Sequence, residues 1–115
     1  MPLALIHLGT KVSDEKKGEI AKEATNIFSE VLGKPIKYCS ANVFETCGGF
    51  GGEIVPSVFI DIKSIGALKG KQKELSDKFC TLIENKTGVK GDKIYLNFTE
   101  LTGDDWGYDH KNFGK

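Results

Sequence analysis

Hydrophobic and polar positions along the chain follow patterns that predict helices and strands in a fixed order. Residues 2–8 alternate as a strand, and a helix follows it. Ser13 is the expected N-cap of that helix and Gly33 its expected end. The residues that recur on one face of the helix are Ile20, Ala24, Ile27, Phe28, Val31 and Leu32.

The second half of the chain repeats this order. The predicted elements are strands at 38–44, 57–63 and 93–99, and a helix at 71–86 that ends before Gly88. A β-α-β unit is thus repeated twice. The order predicts an α+β fold in which a four-stranded sheet carries both helices on one face. Residues 1–115 are expected to form one domain, because this length is typical of a single core.

The other face of this sheet is expected to need a partner. Tyr95 and Asn97 point to it, with Phe59 and Asp61 as expected neighbours. A mixed or antiparallel sheet can leave one face in water. Three aromatic residues in the C-terminal segment also need a place to pack, so we expect an oligomer whose subunits cover one another's sheets.

Composition and charge argue against several classes of function. Sixteen Lys and Arg balance sixteen Asp and Glu without a basic stripe, so nucleic-acid binding is not expected. No apolar run approaches the roughly 20 residues of a membrane helix. No signal peptide is recognised, so we expect a cytoplasmic protein without membrane insertion.

The cysteines and the glycine-rich segment offer no metal or phosphate site. Cys39, Cys47 and Cys80 lack the spacing of metal ligands, and each is expected to be a small buried side chain. The segment CGGFGG, residues 47–52, fits no phosphate-binding motif and is predicted to be a loop.

Pro2 and Lys34 are the first candidates for chemistry. If the initiator methionine is removed, Pro2 carries an α-amine, whose usual pKa of about 8 suits a base and falls further on burial. Alternatively, Pro2 merely begins a strand where no N–H is needed. Lys34 follows the first helix, where a cation often only compensates the helix dipole. On spacing alone the structural interpretation is better for both residues.

Four other residues are of types that can take part in binding or catalysis. Tyr95 and Asn97 lie on one strand face and could orient a planar ligand or contact another subunit. His7 is expected to be structural, and His110 to lie in an exposed tail.

Six short motifs occur together in register. They are Pro2 at the start, Gly33-Lys34-Pro35, Phe50-Gly51-Gly52, Lys63-Ser64-Ile65-Gly66, residues 93–98, and Trp106-Gly107-Tyr108 with Asn112-Phe113-Gly114. In this order and spacing the chain resembles the macrophage migration inhibitory factor family over essentially its whole length.

The resemblance implies a homotrimer in which three sheets form a central barrel with the helices outside. It implies keto–enol tautomerisation of small aromatic 2-keto acids such as phenylpyruvate, with no metal or organic cofactor. Pro2, freed of Met1, corresponds to the catalytic base. The implied substrate-binding residues are Lys34, Ser64 and Ile65, Tyr95 and Asn97 from a neighbouring subunit, and an aromatic wall of Phe113 with Tyr108 or Trp106.

The same resemblance leaves other functions open. The chain could be a cytokine-like ligand of a cell-surface receptor, secreted by a leaderless route, with tautomerase activity secondary. It could also be a trimeric scaffold without activity. Some family members carry a CxxC motif where this chain has Ser57 and Ile60, so the thiol redox activity proposed for that motif is not expected.

Overall fold

The strands and helices form in the predicted order. The computed structural model describes residues 1–114. The elements are β1 Pro2–Gly9, α1 Asp14–Leu32, β2 Ser40–Glu45, β3 Gly49–Phe50, β4 Glu53–Ile54, β5 Ser57–Ile65, α2 Gln72–Thr87, β6 Ile94–Leu101, β7 Gly107–Tyr108 and β8 Lys111–Asn112. None of the helices in this part of the chain is long and apolar enough to cross a membrane.

The main sheet has four strands in the order β2-β1-β5-β6. The outer pairs, β1 with β2 and β5 with β6, are parallel, whereas β1 and β5 are antiparallel. This arrangement confirms the predicted α+β fold with its repeated β-α-β unit. Strand β1 is central, because it is bonded to a neighbour on each edge.

Both helices cover one face of this sheet and form the core with it. The rings of Phe28 on α1 and Phe79 on α2 meet with centroids 5.3 Å apart. From the sheet, Ala4, Ile6, Ile60 and Ile62 are fully buried. Alternation along each strand therefore buries the even-numbered residues of β1 and β5.

The ends of α1 are the predicted ones. Lys16 N–H donates to Ser13 Oγ at 3.2 Å, and Gly33 ends the helix with φ +67°. A left-handed residue at this position suits glycine, which has no Cβ to clash.

The opposite face of the sheet carries a row of aromatic side chains. The His7 ring stacks on Phe44 and on Phe59, with centroids 5.1 and 5.6 Å away. Phe59 lies beside Tyr95 in the register of β5 and β6, and Tyr95 is 64% exposed. This is the face predicted to lack a cover in a single chain, which is thereby confirmed; it is called the bare face below and is marked by His7, Phe44, Phe59 and Tyr95. His7 takes part in the packing on this face.

Three details differ from the sequence prediction. Residues 47–52 are not wholly a loop, because β3 and β4 pair around a turn at Gly51 and Gly52. A second small hairpin, β7 with β8, turns at Asp109 and His110. Cys47 is exposed, contrary to expectation, since it lies in the connection after β2 and outside the helix–sheet interface.

We expect Gly9→Ala to destabilise the fold. An added Cβ would overlap Ser57 O and lie 2.9 Å from Gly48 Cα. Overpacking of this kind costs about 1–3 kcal/mol, and the loss is measurable as a lower midpoint of urea unfolding.

Gly18→Ala provides the matched control. Gly18 is on α1, and no atom lies within 4 Å of its added Cβ. Alanine is the better helix former by up to about 1 kcal/mol, so this variant should unfold at the same or higher urea. Equal midpoints for the two variants would contradict the close approach at Gly9.

Candidate functional site

The N-terminal end of β1 is buried. Pro2 is fully buried and pairs with Ser64 of β5 across the sheet. A proline fits here because the first residue of a strand can do without an N–H. Ile65 N–H donates to Met1 O at 3.4 Å, which ties the first peptide to the end of β5.

Lys34 lies at the same end of the sheet. Its Nζ donates to Ile65 O at 3.3 Å. The turn that carries Lys34 is fixed by Ser29, whose Oγ donates to Lys34 O at 2.9 Å. The chain thus reverses after Gly33 and directs an ammonium group to the end of β5.

The electrostatics show that the terminal amine, Lys34 and Cys39 share one neighbourhood. Burial lowers the pKa of the Met1 α-amine, and the charge of Lys34 lowers it further, against a smaller opposing effect of Cys39. Burial raises the pKa of the Cys39 thiol, whereas the terminal amine and Lys34 favour its ionised form. An amine at this end of the chain is therefore held less basic than usual.

Ser64 Oγ is the buried side-chain oxygen without a hydrogen-bond partner in residues 1–114. The residue is fully buried on the same face as Pro2. A buried hydroxyl without a partner is costly, and this one lies directly across the sheet from Pro2.

An aromatic cluster lies at this end as well. The Phe113 and Tyr108 rings stack with centroids 4.0 Å apart, and Phe113 meets Tyr38 edge-on at 6.3 Å. Tyr38 is two residues before Ser40, which pairs with Leu3. The cluster therefore belongs to the Pro2 end of the sheet.

Tyr38 was not among the candidates chosen from sequence. The available signal was its place shortly after Gly33-Lys34-Pro35. Trp106 is linked to the cluster through the main chain, where Phe113 N–H donates to Trp106 O at 3.1 Å. No ring pair involving Trp106 is found within residues 1–114.

Tyr95 and Asn97 lie elsewhere in the same chain. They belong to the bare face of the sheet, whereas Pro2 and Ser64 face the helices. Tyr95 pairs with Phe59 of β5, and Phe59 pairs with His7 of β1. His7 is five residues after Pro2, which is about 16 Å along the strand. One chain therefore does not bring these two residues together with Pro2.

One chain brings only some of the predicted site residues together. It holds a terminal amine of lowered pKa, a nearby ammonium group and an aromatic wall. Such a set suits proton transfer to or from a small anionic aromatic molecule. Residues 1–114 contain no cluster of three or more His, Cys, Asp or Glu that could hold a metal ion.

A family model and a curated relative both match this chain to the same family. The family model described as macrophage migration inhibitory factor (MIF) matches residues 1–114. A macrophage migration inhibitory factor homolog from Trichuris trichiura is 29% identical over 100 residues, which cover 83% of this chain and 85% of that protein.

Solved structures agree with the family match. The crystal structure of a macrophage migration inhibitory factor-like protein from Entamoeba histolytica has 59% identity and a TM-score of 0.95, covering 97% of this chain and 98% of that one. A homologue from Prochlorococcus marinus has 30% identity and a TM-score of 0.92, covering 97% and 99%.

Lys34→Met is expected to raise the pKa of the terminal α-amine. A neighbouring positive charge disfavours the protonated amine, so its removal favours protonation. The pKa should stay below the ordinary value of about 8, because burial is the larger cause of the shift and remains. The measurement is the pH dependence of selective α-amine acylation, followed by mass spectrometry.

Lys90→Met is the control, since Lys90 is exposed and lies outside this end of the sheet. It should leave the α-amine titration unchanged. An equal shift in both variants, or no shift in Lys34→Met, would contradict the coupling between Lys34 and the amine.

Proposed function

The chain belongs to the macrophage migration inhibitory factor family, and from this premise we propose that it is a cofactor-free keto–enol tautomerase of small aromatic 2-keto acids such as phenylpyruvate. The observation that carries the proposal is the fully buried Pro2 at the start of β1, with Lys34 held on Ile65 O at the same end of the sheet. Partial burial and the charge of Lys34 lower the pKa of the terminal amine there. A base for proton abstraction must be neutral near pH 7, and these two causes act in that direction.

The base in this proposal is the nitrogen of Pro2. With Met1 attached, that nitrogen belongs to an amide and cannot accept a proton. Removal of Met1 turns it into a secondary amine at the buried start of β1. The small second residue favours this processing. Lys34, held on Ile65 O at the same end of the sheet, is then expected to disfavour protonation of the new amine as well.

The reaction moves one proton and no net electrons. Pro2 nitrogen takes a proton from the carbon next to the keto group. The electron pair of that C–H bond forms the new C=C bond, and the π electrons of the carbonyl move onto its oxygen. That oxygen then takes up one proton, delivered by the protonated Pro2 amine directly or through water, and the amine returns to its neutral form. Positioned acid–base groups supply typically about 10²–10⁴-fold in rate.

Lys34 supplies the positive charge that the reaction needs. Its ammonium group has three N–H donors, of which one is used on Ile65 O. The others can bind the substrate carboxylate or the developing oxyanion. A fixed cation of this kind stabilises the transition state without reorganising. The stacked rings of Phe113 and Tyr108 offer a wall for the aromatic group of the substrate.

The proposed site is completed by a second copy of the chain. Tyr95 and Asn97 are too far from Pro2, and on the wrong face, to serve the site of their own chain. A closed homotrimer places one chain's bare sheet face against the next, which supplies both residues and covers the exposed aromatic side chains. In this proposal the oligomer expected from the sequence is needed for catalysis, because it completes the site.

Turnover should depend on removal of Met1. We expect phenylpyruvate tautomerisation by protein whose intact mass shows a free Pro2, and none by protein that retains Met1. Pro2→Gly replaces the ring amine by an unconstrained one and should lower kcat/KM by about 10²–10⁴, the range for a positioned base. The fully processed protein without turnover would contradict the proposal and favour the receptor-ligand function.

Subunit mixing tests the composite site. Chains with Pro2→Gly and chains with Tyr95→Ala plus Asn97→Ala should each be nearly inactive alone. The two variants are unfolded together in equal amounts and refolded. A heterologous interface is active only if one chain supplies Pro2 and its neighbour supplies Tyr95 and Asn97, and random mixing gives this combination at about a quarter of the interfaces. Activity near that fraction is expected.

The control for mixing is each variant refolded alone, with the assembly state measured by sedimentation. Mixed samples that form the same oligomer but regain no activity would contradict a site shared between copies.

A further inference from the structure

The Tyr95 ring contacts the β3–β4 hairpin. Tyr95 and Phe50 have ring centroids 5.1 Å apart with planes at 54°. Within residues 1–114 this is the one ring pair of Tyr95, since Phe59 beside it stacks on His7. A side chain that is 64% exposed therefore has a single aromatic ring in contact with its own.

Phe50 is itself held from two directions. The main chain of Phe50 pairs with Glu53 in the hairpin. Lys93 Nζ lies 5.1 Å from the centroid of the Phe50 ring, a cation–π contact. Lys93 lies in the turn just before β6, two residues from Tyr95. The Phe50 ring therefore contacts both the start of β6, through Tyr95, and the turn that leads into it, through Lys93.

The base of the hairpin is fixed by close backbone approach. Gly48 and Gly9 lie so near each other and Ser57 that neither has space for a Cβ. Val55 N–H donates to Gly48 O at 3.0 Å, and Thr46 N–H donates to Leu8 O at 2.7 Å. The hairpin thus holds Phe50 at a defined place relative to the main sheet.

Phe50 contributes little to the core. It is half-buried and is not one of the residues that pack in the helix–sheet interior. Its ring lies at the bare face of the sheet and contacts Tyr95, a candidate substrate-binding residue. The position of Phe50 is therefore better explained by its contact with Tyr95 than by a contribution to the stability of the fold.

We propose that Phe50 is a positioning residue that sets the Tyr95 ring for the site of the neighbouring copy. This inference rests on the proposed tautomerase function and extends it to substrate choice. A Tyr95 ring held in one orientation favours substrates with an aromatic group that can meet it. Substrates without a ring do not use the contact.

The kinetic test compares Phe50→Ala, Phe50→Tyr and the wild type. With Phe50→Ala we expect KM for phenylpyruvate to rise about two- to tenfold, as for the loss of one aromatic pair, with a smaller change in kcat. KM for pyruvate, which has no ring, should stay the same. Phe50→Tyr keeps the ring and should restore the wild-type KM.

Ile54→Ala is the matched control on the same hairpin. Ile54 is 83% exposed, so its truncation perturbs the hairpin surface without touching the Phe50–Tyr95 pair. It should behave as the wild type. Equal increases of KM in Ile54→Ala and Phe50→Ala, or none in Phe50→Ala, would overturn the proposal.

A double-mutant cycle separates positioning from a general structural effect. If Phe50 acts through Tyr95, then Phe50→Ala should change KM hardly at all once Tyr95 is alanine. An effect of the same size in both backgrounds would show that Phe50 acts independently of Tyr95, which overturns the inference.

A spectroscopic measurement tests the same contact without turnover. The chain has three tyrosines, so protein labelled with 3-fluorotyrosine gives three 19F signals, and the Tyr95 signal is the one lost in Tyr95→Phe. Phe50→Ala should shift and narrow that signal. An unchanged Tyr95 signal would overturn the positioning role, whereas a shifted signal in an inactive protein would leave that role standing and contradict only the tautomerase function.

Discussion

The central position of strand β1 governs the rest of the molecule. β1 is bonded to β2 on one edge and to β5 on the other, so whatever residue stands at its start is enclosed by both neighbours. A chain terminus is normally well solvated. Here the first residues are tied to the end of β5 and lie next to Lys34. Partial burial and a nearby cation at the same point lower the pKa of an amine there and so favour its neutral form.

The period-two alternation of the strands imposes the second constraint. It places Pro2 and Ser64 toward the helices, and Tyr95 toward the bare face. Side chains on opposite faces of one sheet cannot join in one pocket. If these residues share a site, it must be built between copies, and the aromatic row on the bare face then has a covering partner. Assembly and catalysis become consequences of the same pattern.

Much of the fold could be predicted from the chain, because its signals are local. Ser13 and Gly33 bound the first helix by capping and left-handed geometry, which single residues determine. The β3–β4 hairpin is not predicted from the sequence, because strands of two residues are too short to show an alternation of hydrophobic and polar positions. Cys47 was misplaced for a related reason, since composition alone does not show that the residue lies outside the helix–sheet interface. The candidate site depended on resemblance, as Tyr38 illustrates: only the tertiary structure brings it to Phe113.

In the proposed tautomerase, the reacting nitrogen and the aromatic residue facing it come from different copies. The most direct measurement is a crystal structure of the processed protein with a stable enol analogue of phenylpyruvate. We expect the analogue to lie within hydrogen-bond distance of Pro2 nitrogen and Lys34 of one copy, with Tyr95 of a neighbouring copy against its ring. An analogue contacted by residues of one chain alone, or bound away from Pro2, would contradict a site shared between copies.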